Sequence, residues 1–127
     1  MIGNARRDVL AGADWLTAQE VAGFAGITGT NPTSQISKWK RANKIFSIAH
    51  HGREYYPDYA LEDDFRPTPG LKPILERFKN KSDWGIAYWF ASANSYLDGH
   101  RPQDLLKSEP GKVLEAAGHE MEPVAHV

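Results

Sequence analysis

The sequence predicts a mainly α-helical protein with a small β-hairpin: a winged helix-turn-helix followed by a small helical domain. Three observations predict this class. Two helices have clear start signals near Thr17 and Pro32, two β-rich segments flank a glycine turn, and helix patterns resume after a proline-containing connector. The expected units are a winged helix-turn-helix DNA-binding domain over 1–61, a connector over 62–69, and a helical dimerisation and partner-binding domain over 70–127.

The composition limits the classes of function. The 127 residues include no cysteine, which excludes disulfides and thiolate ligands. No apolar run approaches the roughly 18 residues of a membrane span, and the polar N-terminus does not resemble a signal peptide. These features predict a cytoplasmic protein without a membrane partner. The sequence has no glycine-rich phosphate loop or nucleophile elbow, so we expect no enzyme activity, catalytic residue, cofactor or metal site.

The first strong local signal is a capping box at Thr17 and Glu20. Thr17 caps the helix, and Glu20, three residues later, reaches back to its amide. Leu16 and Val21 are placed to form the accompanying hydrophobic staple. This helix is expected to end near Gly26; a short helix over 4–11 precedes it.

A second helix is predicted to begin at Pro32, with Asn31 as its cap. Ile36 and Trp39 fall on one side of this helix and are expected to pack inward. The polar side chains on the other side are expected to face outward: Ser34, Gln35, Lys38 and Arg41.

A β-hairpin is predicted to follow this helix. The segments 45–49 and 53–56 are rich in strand-forming residues, and His50-His51-Gly52 between them is expected to turn with Gly52 at positive φ. Adjacent histidines in a strand point to opposite faces, and no third ligand is spaced to join them, which argues against a metal site.

Charge is unevenly distributed along the chain despite a net charge of −1. From residue 31 to 56 there are five cations and one carboxylate, whereas four carboxylates and one lysine lie between residues 108 and 127. A basic segment and an acidic tail indicate two different partners.

The basic segment predicts an interface with double-stranded DNA. The outward side of the second helix would enter the major groove, and cations near the hairpin would contact phosphates. A solvent-exposed helix face with ordinary surface charge is the competing interpretation. The predicted DNA-binding residues are Ser34, Gln35, Lys38, Arg41, Lys44, His51 and Arg53.

The C-terminal half contains the strongest apolar helix, which Ser82 caps and which runs from Trp84 to Ala91. Trp84, Tyr88 and Trp89 lie at helical spacing and are expected to be core residues. Because the helix is apolar nearly all round, it is expected either at the centre of this half or in a dimer interface.

The segment from Trp89 to Ala117 resembles the C-terminal toxin-binding domain of Xre/MbcA/ParS-type antitoxins. The resemblance rests on Trp89, Asn94, Leu97, the run Gly99-His100-Arg101-Pro102-Gln103-Asp104-Leu105-Leu106, and Gly111-Lys112-Val113-Leu114. It implies a homodimer, and it implies that the C-terminal end approaches the active site of a RES-type toxin that consumes NAD. The candidate partner-binding residues are Arg101, Asp104, Glu120 and Glu122.

These observations predict a DNA-binding antitoxin and autorepressor that neutralises a RES-type toxin by direct binding and represses its own operon. One alternative is a stand-alone winged-helix transcriptional regulator or phage-type excision factor without a toxin. A protein-interaction adaptor with no affinity for DNA is the other. Arg101 and Asp104 can equally well pair with each other as contact a partner.

Overall fold

The computed structural model describes the backbone of residues 2–121 and the side chains of residues 5–121. It is mainly helical, with one small antiparallel sheet, as the sequence predicts. The helices are α1 Ile2–Ala11, α2 Ala18–Phe24, α3 Thr33–Arg41, α4 Leu71–Arg77, α5 Asp83–Ala91, α6 Pro102–Leu105 and α7 Pro110–Glu120. The strands are β1 Trp15–Leu16, β2 Ile48–His50 and β3 Arg53–Pro57.

The sheet joins the start of the chain to the hairpin. Its strand order is β1-β3-β2, and β3 pairs antiparallel with both neighbours. Leu16 lies opposite Tyr56, and Ala49 lies opposite Glu54. Strand β3 belongs to the hairpin and also pairs with β1, which precedes α2. The sheet therefore joins the start of α2 to the hairpin that follows α3.

The capping box predicted for α2 is confirmed. The Thr17 hydroxyl accepts a hydrogen bond from the Glu20 amide at 3.1 Å, and the Glu20 carboxylate accepts one from the Thr17 amide at 2.9 Å. Gly26, with φ of 69°, follows the end of this helix, because a left-handed residue ends a helix with least strain when it is glycine.

The predicted starts of α3 and β2 differ from the structure. Helix α3 starts at Thr33 rather than Pro32, and Pro32 itself occupies the capping position without a side-chain cap. Asn31 contributes its backbone oxygen, which accepts from the Ser34 amide at 3.2 Å. Strand β2 starts at Ile48 rather than residue 45, and the preceding Ile45 and Phe46 are buried outside any strand.

The buried side chains of both halves of the chain belong to one cluster. Phe46, from the first half, stacks on Phe90 of α5 at 5.8 Å between ring centroids, and the Tyr59 ring lies 5.3 Å from Phe90. Helix α1 packs against α5, and the Gln103 side chain donates a hydrogen bond to the Gly12 carbonyl at 2.7 Å. The first segment of the described chain is thus packed against α5 and α6 of the C-terminal half.

The predicted connector is folded against the rest of the chain. Leu61 and Pro67 form an isolated antiparallel bridge, and Thr68 is buried. A Cβ atom added at Gly70 would lie 2.6 Å from the Cβ of Pro110, so this close approach to α7 requires glycine. The division into two domains stays a prediction. The buried side chains of the two halves form one continuous cluster.

Helix α5 corrects one core prediction. Trp89 and Phe90 are buried and Trp84 is partly buried, but Tyr88 is 55% exposed. The helix is apolar on nearly every side, so its sequence alone does not indicate which side faces solvent. None of the helices in residues 2–121 is long and apolar enough to cross a membrane.

Candidate nucleic-acid interface

Two buried side chains hold α3 in place. Ile36 is fully buried and Trp39 is nearly so, as predicted from their spacing. Asn43, with φ of 58°, reverses the chain after the helix, and the Lys44 amide donates to the Trp39 carbonyl at 2.9 Å. Because this side of α3 is anchored in the core, the opposite side of the helix faces solvent.

The structure brings the predicted α3 residues to one outward surface. Lys38 and Arg41 are exposed there, as is Lys44 just beyond the helix, and Ser34 and Gln35 are half-buried at its start. Ser37 is exposed on the same helix and was missed by the sequence analysis. Its three-residue spacing from Ser34 was the signal that could have found it.

Glu54 ties α3 to the hairpin. Its carboxylate forms an ion pair with Lys40 and accepts a hydrogen bond from the Ser47 hydroxyl at 2.8 Å. These two hydrogen bonds lower the pKa of Glu54. The link connects the last turn of α3 to β3, and it neutralises the carboxylate of Glu54.

The remaining cations of this region are unneutralised. Among the residues that the structure describes, Lys38, Arg41, Lys44 and Arg53 form no ion pair. There is no carboxylate side chain between Val21 and Arg53 in the sequence. We call the surface formed by Ser34, Gln35, Ser37, Lys38, Arg41, Lys44 and Arg53 the basic face.

The hairpin turn is a two-residue turn with positive φ at both positions. His51 has φ of 50° and Gly52 has φ of 78°, the pattern of a type I′ turn. Both residues are exposed, and the His50 and His51 ring centroids are 4.0 Å apart. Within the described part of the chain, no three His, Cys, Asp or Glu side chains are grouped so that they could hold a metal ion.

The C-terminal half supports the outer strand of the hairpin. The Trp84 indole nitrogen donates to the Ala49 carbonyl at 3.1 Å, and the Arg6 guanidinium lies 4.6 Å above the Trp84 ring. The hairpin is therefore braced by α5. Arg6 adds a cation beside it that the sequence analysis did not assign, because only the packing of α1 on α5 places it there.

A cleft of about 390 Å³ lies beside the basic face. It is lined by the starts of α2 and α3 and by β3, including Thr17, Gln19, Thr33, Ser37 and Arg53, and by Glu54, whose carboxylate is paired with Lys40. Hydroxyl, amide and guanidinium groups of this kind bind phosphate oxygens in protein–DNA complexes. The cleft extends the polar surface from α3 toward the sheet.

The candidate partner-binding residues that the structure describes, Arg101, Asp104 and Glu120, are engaged in two different ion pairs. Arg101 and Asp104 form a two-point ion pair with distances of 2.8 and 3.0 Å, and this hydrogen bonding raises the pKa of Arg101. Glu120 is paired with Lys81 at 3.2 Å. Glu122 lies outside the described residues.

Comparisons with known proteins show a similar fold. No protein-family profile matches the chain. No curated protein sequence matches it either. A solved structure described as the NMR structure of Rv2175c superposes with a TM-score of 0.73 at 18% identity, over 87% of this chain and 82% of that one. The likeness shows that the described architecture is an established fold.

Proposed function

We propose that this chain binds double-stranded DNA through the basic face. The observation that carries the proposal is the set of four exposed cations, Lys38, Arg41, Lys44 and Arg53, without ion-pair partners among the described residues. Unpaired surface cations on one face are the electrostatic feature of nucleic-acid binding, since they displace counterions from the phosphate backbone.

The order of the elements supports a winged helix-turn-helix interpretation. Helices α2 and α3 precede a hairpin, and β1 pairs with that hairpin's inner strand. In this arrangement α3 is the recognition helix, with its outward side chains in the major groove. Gln35 is suited to adenine, and Lys38 and Arg41 are suited to guanine or to phosphates.

The hairpin has the role of a wing in this proposal. Arg53 and the exposed His51 lie at or next to its turn, and Lys44 lies between α3 and β2. These side chains contact the sugar-phosphate backbone, which adds affinity without sequence information. The brace from Trp84 reduces the freedom that the hairpin would lose on binding.

Fluorescence anisotropy with labelled duplexes tests the proposal. The probes are the region upstream of the chain's own gene and a random duplex of equal length. Replacing Lys38 and Arg41 by alanine is expected to weaken binding to the first probe by about 1–3 kcal/mol per lost base contact. The control is Lys112→Ala on α7, whose lysine is also exposed but paired with Glu109 at 2.8 Å.

Equal affinity of the parent chain and the double variant for both duplexes contradicts the proposal and favours the adaptor alternative.

Salt dependence provides a second criterion. If all four cations contact phosphates, the log–log slope of the binding constant against salt is on the order of −4, and removing two of them halves it; cations that contact bases contribute less to the slope. A slope near zero in the parent chain excludes the basic face as a DNA interface.

The antitoxin activity and the homodimer belong to the same proposal, with support from the sequence resemblance alone. The C-terminal half would dimerise and bind a RES-type toxin, and a dimer would present two recognition helices to a palindromic operator. Co-expression with a toxin encoded next to this gene, followed by size-exclusion chromatography, tests both. If the chain elutes as a monomer and does not relieve the growth defect caused by the toxin, the stand-alone regulator is the better interpretation.

A further inference from the structure

An exposed aromatic pair lies at the end of α2, away from the basic face. Phe24 is 59% exposed, an unusual position for a large apolar side chain. Its ring stacks on Phe65, with centroids 4.8 Å apart and planes at 29°. Phe65 is half-buried and packs against the core, so the apolar surface that the pair presents to solvent comes mainly from Phe24.

The backbone at Phe65 is strained. Its φ is 61°, in the left-handed region that costs roughly 1–2 kcal/mol for a residue with a Cβ. The loop holds this conformation through the Glu62 amide, which donates to the Arg66 carbonyl at 2.7 Å, and the Phe65 amide, which donates to the Glu62 carbonyl at 2.9 Å. Strain of this kind persists where the surrounding structure imposes it, and it is concentrated at functional surfaces.

The aromatic pair borders a groove of about 560 Å³. Trp15, Leu16 and Leu61 give the groove further apolar lining. This volume falls in the range of ligand-binding pockets and is large enough for a few side chains of a protein segment. None of the residues of the basic face lines it, so the groove is a separate surface.

Four carboxylates surround the apolar lining: Asp14, Asp58, Glu62 and Asp63. Within the described part of the chain none of them forms an ion pair, and Lys107 is the single cation that lines the groove. Such a rim repels nucleic acid and attracts a cationic partner. We call this surface the acidic groove.

We infer that the acidic groove is a docking site for a segment of another protein that presents an aromatic or aliphatic side chain flanked by lysine or arginine. The apolar side chain would pack on Phe24 and Phe65, and its cationic neighbours would meet the four carboxylates. An apolar centre with a charged rim is the common organisation of protein interfaces. The inference is independent of DNA binding, since it uses none of the basic face.

The test uses the full chain and a fluorescein-labelled peptide, KRWLKR, in an anisotropy titration. Binding with a Kd between about 1 μM and 1 mM is expected. The peptides EEWLEE and KRSSKR, which lack the cations and the apolar side chains respectively, are expected to bind about tenfold more weakly or not at all.

Two substitutions locate the binding. Phe24→Ser is expected to weaken KRWLKR binding about tenfold, and Asp63→Asn about threefold. Tyr88→Ser is the matched control, because it removes a ring of similar exposure from α5, and it is expected to change nothing. Each variant is first checked for unchanged thermal unfolding by circular dichroism.

Three results overturn the inference. One is the absence of any anisotropy change with KRWLKR up to about 1 mM. A second is equal binding of KRWLKR by the parent chain and Phe24→Ser, or equal binding of KRSSKR and KRWLKR. The third is full displacement of the peptide by an equal concentration of spermidine, which would mean that the groove recognises charge alone.

Discussion

Phe90 is the side chain through which the two halves of the core meet. It is fully buried and contacts the rings of Phe46, Tyr59 and Trp89 at centroid distances of 5.8, 5.3 and 5.0 Å. Truncating a buried phenylalanine to alanine costs about 3–5 kcal/mol, and this includes the loss of aromatic pairs that each contribute about 0.5–1.5 kcal/mol. We therefore expect Phe90→Ala to lower the free energy of unfolding by about 4 kcal/mol.

That loss is a large fraction of the roughly 5–15 kcal/mol by which a domain is stable. Urea unfolding, followed by tryptophan fluorescence and by far-ultraviolet circular dichroism, measures it. Because the buried cluster is continuous, both probes should report one transition with a lowered midpoint and an unchanged slope. Amide hydrogen exchange should show equal losses of protection in α3 and α7.

The control is Tyr88→Ala on the same helix. Its side chain is 55% exposed, so the change is expected to stay within about 0.5 kcal/mol. If Phe90→Ala lowers protection in α5 and α7 but leaves α3 unchanged, the two halves fold independently, and the reasoning from a shared core is wrong.

Three further substitutions test individual contacts by urea or pH-dependent unfolding. Thr17→Ala removes the side chain that caps α2, and it should cost about 1 kcal/mol, with recovery in Thr17→Ser. The buried Tyr59 hydroxyl has no hydrogen-bond partner in the described chain, so Tyr59→Phe should stabilise the fold by about 1 kcal/mol. Burial raises the pKa of Tyr59, so the parent chain loses stability as the pH rises above the ordinary tyrosine range, and this loss should be smaller in Tyr59→Phe. The lowered pKa of Glu54 has the opposite sign: its stabilisation is lost as the pH falls through that value, and Glu54→Gln should flatten the acid limb. An unchanged pH profile in either variant contradicts the corresponding assignment.

Features that depend on near neighbours in the sequence were predictable. The capping box at Thr17, the inward side of α3 and the positive φ at Gly52 each follow from residues a few positions apart. The same holds for Ser82, whose hydroxyl accepts from the Gly85 amide at 3.0 Å as expected for a cap. Local hydrogen bonds and helical spacing determine such features almost independently of the remaining fold.

Features that depend on packing between distant segments were not predictable. Nothing in the sequence around α1 indicates that it packs on α5, so neither the position of Arg6 over Trp84 nor the brace on the hairpin was expected. Phe24 is exposed although its three-residue spacing from Val21 is typical of a buried side, so local spacing does not indicate its position. The left-handed backbone at Phe65 has no sequence signal at all, since glycine and asparagine are the usual residues there.

The near-zero net charge of the chain does not indicate an electrostatically uniform molecule, because the chain carries two surfaces of opposite sign. On the basic face, the ion pair between Lys40 and Glu54 cancels the nearest carboxylate and leaves four cations exposed. The lining of the acidic groove contains four carboxylates and one cation, Lys107. Salt separates the two surfaces experimentally. Binding through phosphates falls steeply with salt, whereas docking on Phe24 and Phe65 retains its apolar part, since screening acts on charges and not on buried apolar area.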